Sequence, residues 1–448
     1  MIIPGIDGFH YVGHTPNFSI DKTNPGSKND ALSKSNVQVT TLNNGLTIIH
    51  ENNSNIWSGG TNSFVDVGSV DEEPENNGAT HFLEHILFKR TKHRTAKQIE
   101  EEAEKCGVST NAGTSEEHTV YEAHALGENI LILTLLYLDM LLNNKMLDRE
   151  VEFEKGIILE EAKMYEDNPE ARLEYLAKET YFKGHPWGRR IIGTQSTISQ
   201  IQKSDLKNFL RKYYTPDNIF ISLSGNIDCD KAIKEIERCT SHIQTKANKK
   251  EIPPLICNVK NAFEEMDIQQ SLVMLITKGY SLLDDKRYIL LTLKQALRSR
   301  LFFNVREKSG YCYAVHPAVE SASFGGMTTI YSGLRKDKVQ EGINLILKEL
   351  KKLKKAGLKP EELYRAKMLL KTALVLREES TMASSYSNGL NYMFRNSTIP
   401  IKEVVTKVEA ITNEDIIQVA NEVFDPKYIA AYVVGPKSTL PQNIEINL

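Results

Sequence analysis

Cysteine is scarce in this chain, and what there is forms no pattern. Cys106, Cys229, Cys239, Cys257 and Cys312 are odd in number, scattered, and include no CxxC pair. A thiolate metal site is thereby excluded, and a reducing compartment is expected. A long apolar run is missing too. The longest, Ile130 to Leu142, has 13 residues and carries Asp139; it is too short to span a bilayer and suits a buried helix. The opening MIIPGIDGFHYVGHTPNF has no basic segment followed by an apolar core and no arginine, so neither a secretory signal nor an organelle transit peptide is expected. The cytoplasm is the expected location. There is no excess of basic residues: 55 Lys and Arg face 58 Asp and Glu, for a net charge of −3. Nucleic acid and membrane surfaces are therefore not expected partners. The lysine-rich LKELKKLKKAGLK does not change this. Ile343, Ile346, Leu347, Leu350 and Leu353 recur there at helical spacing, so its lysines form a solvated face.

What is present points to two domains. The 448 residues, 40% apolar and 25% charged, suffice for two separate cores. Residues 1–36 read as an extension, polar from Ser19 to Ser35 and broken by Pro25-Gly26. Beyond it, GLTIIHEN and NSFVDVGS alternate as strands do, VSTNAGTSE and HTVYEAHAL read as a strand pair, and THFLEHILFKR and TAKQIEEEAEKCG read as helices. The stretch from Ile201 repeats from Ile411, an offset of 210 residues. Ile201/Ile411, Asp205/Asp415, Pro216/Pro426, Ile219/Ile429 and Gly225/Gly435 coincide without a gap. Helix, proline break, β-rich strand and closing glycine recur together, which implies a duplicated α+β domain. The polar stretch 244–254 is the expected join, between a first domain over 37–243 and a second over 255–448.

The chemistry is concentrated in HFLEH, residues 81–85. Positions four apart share a helix face, so His81 and His85 can converge on one ion, with Glu84 beside them. A catalytic zinc ion needs that arrangement: neutral imidazoles, an open position for water, and a carboxylate near enough to take a proton. Phe82, Leu83, Ile86 and Leu87 predict a mostly buried helix. Buried histidines need partners, and a metal supplies them at once. A third ligand must come from another element. The acid-rich stretch Glu152 to Leu173 offers Glu154 and Glu161, seven apart on a stripe with Ile157 and Ile158. It also offers Glu160, on a stripe with Phe153, Ile157 and Met164. Periodicity does not choose between Glu160 and Glu161.

Together, LNNGLTII, FVDVGSVDEEPENNGATHFLEHILFK, TNAGTSEEHTVY and GIILEEAKMYEDNP resemble the pitrilysin family of inverted-motif zinc peptidases, nearest to its short bacterial members and to the catalytic β subunit of the mitochondrial processing peptidase. The resemblance runs from about Val37 to the C-terminus. It implies two homologous α+β domains, each a mostly antiparallel sheet with helices packed on one side. It implies one zinc per chain held by His81, His85 and Glu161, with Glu84 as general base and Glu154 as an outer, orienting acid. Asn111 and Ala112 match a strand edge on which a peptide is laid as an added strand. Arg306 and Tyr313, in SRLFFNVREKSGYCYAV, match a pair that holds the substrate backbone. No second HxxEH occurs, so the second half is expected to be non-catalytic. The implied activity is a zinc metalloendopeptidase acting on peptides or unfolded segments within a homodimeric chamber. Two alternatives go with it. One is a presequence-processing catalytic subunit, paired with a non-catalytic homologue and working in the matrix of a mitochondrion-related organelle. The other is a structural core subunit. In three places the sequence departs from the family pattern: Arg90 stands in place of a common glycine, Gly113 in place of a usual aromatic, and QALR where a small pair often precedes SRLF.

Overall fold

The computed structural model describes residues 37–247, 251–437, 444–446 and 448. The expected extension, 1–36, and residues 248–250 of the expected join lie outside the described residues. Among those described, eleven strands form two sheets. The first contains β1 (Gln38–Thr41), β2 (Thr47–Asn52), β3 (Ser58–Val65), β4 (Asn111–Thr114), β5 (Thr119–Leu126) and β6 (Ile219–Gly225), in the order β1-β2-β6-β3-β5-β4. The second contains β7 (Ala262–Glu265), β8 (Ser271–Lys278), β9 (Cys312–Ala322), β10 (Gly325–Leu334) and β11 (Ala430–Gly435), in the order β7-β11-β8-β10-β9. Each sheet has one parallel pair, β2 with β6 and β7 with β11; its other pairs are antiparallel. Leaving out β1, the two orders match strand for strand. The helix-then-strand repeat is the helix Lys203–Tyr213 leading to β6 and the helix Asn413–Val423 leading to β11. Both strands lie inside their sheets, beside the one parallel neighbour.

Each half lays its own helices on one face of its sheet and lends one helix to the opposite face of the other. Neighbouring residues of a strand face opposite ways, and β3 shows both contacts. A Cβ on Gly59 would lie 2.6 Å from Ile130 of the helix Gly127–Leu142, whereas one on Gly60 would lie 2.7 Å from Met382 Cα of the helix Thr381–Arg395. Reciprocally, Ala431 and Val433 of β11 share a core with Leu290 and Leu293 of the helix Lys286–Leu301. Ala430, Tyr432 and Val434 share another with Leu173 and Tyr181 of the helix Pro169–Tyr181. The exchange leaves every residue of β11 buried, and a strand sealed on both faces loses its apolar-polar alternation. It also explains why β3 begins at Ser58, ahead of the expected NSFVDVGS. Two glycines give no strand signal, yet both are required because helices press on each side of them.

The apolar run from Ile130 is the core of the helix Gly127–Leu142. Its buried Asp139 accepts hydrogen bonds from Thr91 Oγ1 and Arg94 Nη1, each at 2.7 Å. Among the described residues no helix is long and apolar enough to cross a membrane. The lysine-rich helix Val339–Ala356 buries Ile343, Ile346, Leu347, Leu350 and Leu353, as its periodicity predicts.

The halves also meet at the turn Ser115–His118, between β4 and β5. His118 is buried there, its Nδ1 2.9 Å from Ser115 Oγ and its Nε2 3.1 Å from the Tyr386 hydroxyl of the exchanged helix. Burial pushes this imidazole down to about 4, with Glu116 opposing only in part. A histidine with a depressed folded pKa gives the unfolded chain the greater proton affinity. Stability is therefore lost as pH falls from about 6.5 through 4, by about 3 kcal/mol in all. In urea unfolding of the metal-free protein, His118→Phe should be the less stable form at pH 7. The difference should close or reverse by pH 4; a difference that does not change with pH would exclude this account.

Candidate metal centre

The helix Ala79–Leu87 begins at Gly78, whose φ of 101° is a left-handed conformation suited to glycine. Gly78 has no side chain to cap the helix, and Glu72 does so from a distance. Fully buried, Glu72 accepts from the Asn77 side chain (2.8 Å) and the Gly78 N–H (2.9 Å) at Oε2, and from the Thr80 N–H (2.7 Å) at Oε1. An acceptor there satisfies orphan N–H groups and its charged form is favoured by the helix dipole, while burial outweighs these hydrogen bonds and pushes the carboxyl up to about 7. Buried Phe82, Leu83, Ile86 and Leu87 fix the helix by its apolar face, which turns His81, Glu84 and His85 toward the acidic helix Asp148–Asp167.

His81, His85 and Glu161 each offer one donor atom, all within 4.8 Å of one another. His81 Nε2 stands 3.9 Å from Glu161 Oε1, and His85 Nε2 stands 3.6 Å from Glu161 Oε2. These distances are long for hydrogen bonds. They are close to the roughly 3.4 Å that separates two tetrahedral ligands about 2.0–2.2 Å from a shared ion. Burial, helped by His85, lowers His81 to about 3, so it is a neutral imidazole. For His85, burial opposes protonation, but the Glu154 hydrogen bond and the charges of Glu161 and Glu84 outweigh it and raise the group. Neutral nitrogen donors plus a carboxylate suit a zinc ion. With one in place, His85 would serve as a ligand through Nε2 and would keep its proton on Nδ1.

That proton has a fixed acceptor. His85 Nδ1 is 2.9 Å from Glu154 Oε1, and Lys89 Nζ is 2.8 Å from Glu154 Oε2. Glu154 is almost wholly buried, which alone would raise its carboxyl, but His85 and Lys89 outweigh that and hold it below the ordinary range. Glu160 points elsewhere. Its side chain is 73% exposed and pairs with Lys163 at 2.6 Å. The stripe it was read on is the outer one, since Phe153, Ile157 and Met164 are exposed, while Val151, Glu154, Ile158 and Ala162 form the inward face.

Glu84 stands beside the donors without joining them. Burial raises its carboxyl, and a 2.5 Å hydrogen bond from Thr114 Oγ1 to its Oε2 pulls the other way. Thr114 ends β4, which pairs only with β5 and forms the free edge of the first sheet among the described strands. On that edge Asn111 is exposed and donates to Glu122 at 2.8 Å, and Ala112 is buried. A Cβ on Gly113 would meet nothing within 4 Å, so the edge there is open. Arg90, where a glycine is common, is held by Glu150 at 2.8 Å.

Arg306 and Tyr313 sit together rather than at the donors. The Arg306 guanidinium lies 5.3 Å from the Tyr313 ring centre and 4.9 Å from that of Phe302, and Tyr313 is 75% exposed. No hydrogen bond or ion pair among the described residues joins either to His81, Glu84, His85 or Glu161. Sequence reasoning passed over Glu72, Lys89 and Thr114. The position of Lys89, one helical turn beyond His85, could have marked it. Glu72 lies within an acid run and Thr114 within a turn-rich stretch, and neither carries a periodic signal.

A duplicated α+β fold with this donor set on its first half defines a zinc-dependent metallopeptidase. The comparisons with known proteins agree. Residues 48–195 match the family described as insulinase (peptidase family M16), and residues 200–370 match the peptidase M16 inactive domain. The uncharacterized zinc protease YmxG of Bacillus subtilis is 31% identical over 405 residues, covering 90% of this chain and 98% of its own. An uncharacterized zinc protease of Rickettsia bellii is 32% identical over 410 residues, covering 90% and 99%. Among solved structures, a Helicobacter pylori protease superposes with a TM-score of 0.83 at 21% identity, covering 89% of this chain and 99% of its own. A peptidase M16 inactive domain from Pseudomonas fluorescens gives 0.83 at 18%, covering 91% and 99%. The chain belongs to peptidase family M16, the insulinase or pitrilysin family.

Proposed function

We propose that this zinc protease is an endopeptidase that cuts short peptides or unfolded segments inside a chamber made by two copies of the chain. The observation that carries the proposal is the proximity of three parts: the donor triad, an adjacent carboxylate outside it, and the free edge of β4. His81, His85 and Glu161 hold the ion. Zinc, when bound, supplies a Lewis acid that makes a water a nucleophile near neutral pH. Glu84, raised by burial, takes the proton of the attacking water and passes it to the leaving amine. Glu154 keeps the His85 ring turned with Nε2 toward the ion. A peptide laid along β4 near Asn111 and Ala112 pairs by main-chain hydrogen bonds, so side-chain selectivity is modest.

Arg306 and Tyr313 lie apart from the donors of their own chain and expose polar groups suited to a peptide carbonyl or the oxyanion formed from it. We assign them to the centre of a second copy, related by a twofold axis. Metal analysis should give one zinc per chain. Removal with a chelator should abolish cleavage of a quenched peptide, and mass mapping should show internal cuts. Arg306→Ala should lower kcat/KM about tenfold or more and leave the metal in place. Mixing Arg306→Ala with Glu84→Gln under subunit exchange should restore activity, to about a quarter of the wild-type sites in a random mixture of dimers. A monomer in solution, or a mixture no more active than its components, would rule out the shared chamber.

A further inference from the structure

Thr114 is the last residue of β4 and opposes Thr119 across the hairpin. The turn that follows it is held from two further sides. Toward the metal helix, the Ser69 N–H donates to the Ser115 carbonyl (3.3 Å) and the Val70 N–H to the Glu116 carbonyl (2.9 Å). The chains approach so closely that a Cβ on Gly68 would lie 2.2 Å from the Glu116 oxygen. Toward the second half, Glu117 accepts from the Ser323 N–H at 2.8 Å and from the Ser323 hydroxyl. Ser323 lies in the tight turn joining β9 to β10. Glu116 shares Lys178 with Glu320 of β9, each at 3.1 Å, and His118 meets Tyr386. A turn gripped by three successive side chains fixes the strand end it closes.

We propose that Thr114 is a positioning residue for Glu84, and that the second half of the chain sets Thr114 in place by its hold on the turn Ser115–His118. The inference rests on Glu84 being the general base. A carboxylate at the end of a Glu side chain turns easily about its last bond, because that torsion is broad. By donating to Oε2, the Thr114 hydroxyl fixes the carboxylate plane and leaves Oε1 free for the water proton. No hydrogen bond among the described residues joins Thr114 to the three donors, so its removal should disturb proton transfer and spare the metal. The second half, which has no HxxEH of its own, thus contributes to catalysis from a distance by fixing the frame around the base.

The test uses the zinc-loaded full chain, with kcat and KM from a quenched peptide and zinc affinity from chelator competition. Thr114→Val should lower kcat roughly 10–30-fold, with KM and zinc affinity within about twofold of wild type. Thr114→Ser, which restores the hydroxyl, should return kcat to within about threefold of wild type. Thr114→Ala removes the hydroxyl without adding bulk and should behave as Thr114→Val does. Glu117→Ala, which frees Ser323, should lower kcat about three- to tenfold and add nothing to Thr114→Val, because both act through one hydrogen bond. A Thr114→Val enzyme with wild-type kcat, a serine variant as slow as the valine one, or a loss confined to KM would overturn the positioning role. Full additivity of Glu117→Ala with Thr114→Val would overturn the part given to the second half. If Glu84→Gln is active, the reading of the base is what has failed.

Discussion

Glu84→Gln should bind zinc as the wild type does and cleave peptides at least about a thousandfold more slowly, within the range general-base catalysis contributes. The amide is nearly the same size and shape as the carboxylate. Its oxygen can still accept the Thr114 hydroxyl that now donates to Oε2 at 2.5 Å. The helix, its Glu72 cap and the two histidines should therefore keep their places. What the amide cannot do is take a proton. It also removes a negative charge beside His85, whose protonation that charge favours; easier loss of that proton offsets the attraction to the ion that the charge supplied. The decisive pair of measurements is zinc per chain and single-turnover cleavage on the same sample. Residual activity near wild type with full zinc would remove Glu84 from the base role, and loss of zinc would make it a structural member of the site.

The sequence displayed the metal helix because helical spacing is a local property. Two histidines four apart, flanked by apolar residues, must share a face wherever the helix packs. The duplicated topology was legible for the same reason: a helix, a proline break and a strand recur at one offset, and the two sheets have matching orders. Legibility ended where a long-range partner decides the outcome. Glu160 and Glu161 differ by one position, and choosing between them depends on which side of their helix meets the metal helix. The stripe containing Phe153, Ile157 and Met164 looked inward by composition and lies outward. The exchanged helices were hidden because each is covered by strands of the other half, as far as 323 positions away at Asn62 and Ser385, and local periodicity holds no record of such a partner. At Gly59 and Gly60 the signal was missing altogether. Close packing on both faces of β3 required residues with no side chain to read.

Graded losses of zinc should follow the acidic helix. Structural zinc sites with four ligands are worth roughly 10–16 kcal/mol, so one ligand accounts for about 3–4 kcal/mol, or two to three orders of magnitude in Kd. Glu161→Ala should lose affinity on that scale, since Glu161 is, among the described residues, the carboxylate donor grouped with both imidazoles. Glu154→Ala should cost less, about 10–100-fold. It removes the acceptor that orients His85 and leaves Lys89 without its buried partner, but all three donors remain. Glu160→Ala should change zinc affinity by no measurable amount. Its exposed pair with Lys163 is worth at most about 0.5 kcal/mol to the fold. Competition with a fluorescent zinc chelator at fixed pH ranks the three on one scale. The order Glu161, Glu154, Glu160 is what the geometry requires. A Glu160→Ala variant that loses zinc, or a Glu161→Ala variant that keeps it at wild-type affinity, would mean that this helix presents a different face to the histidines in the working enzyme.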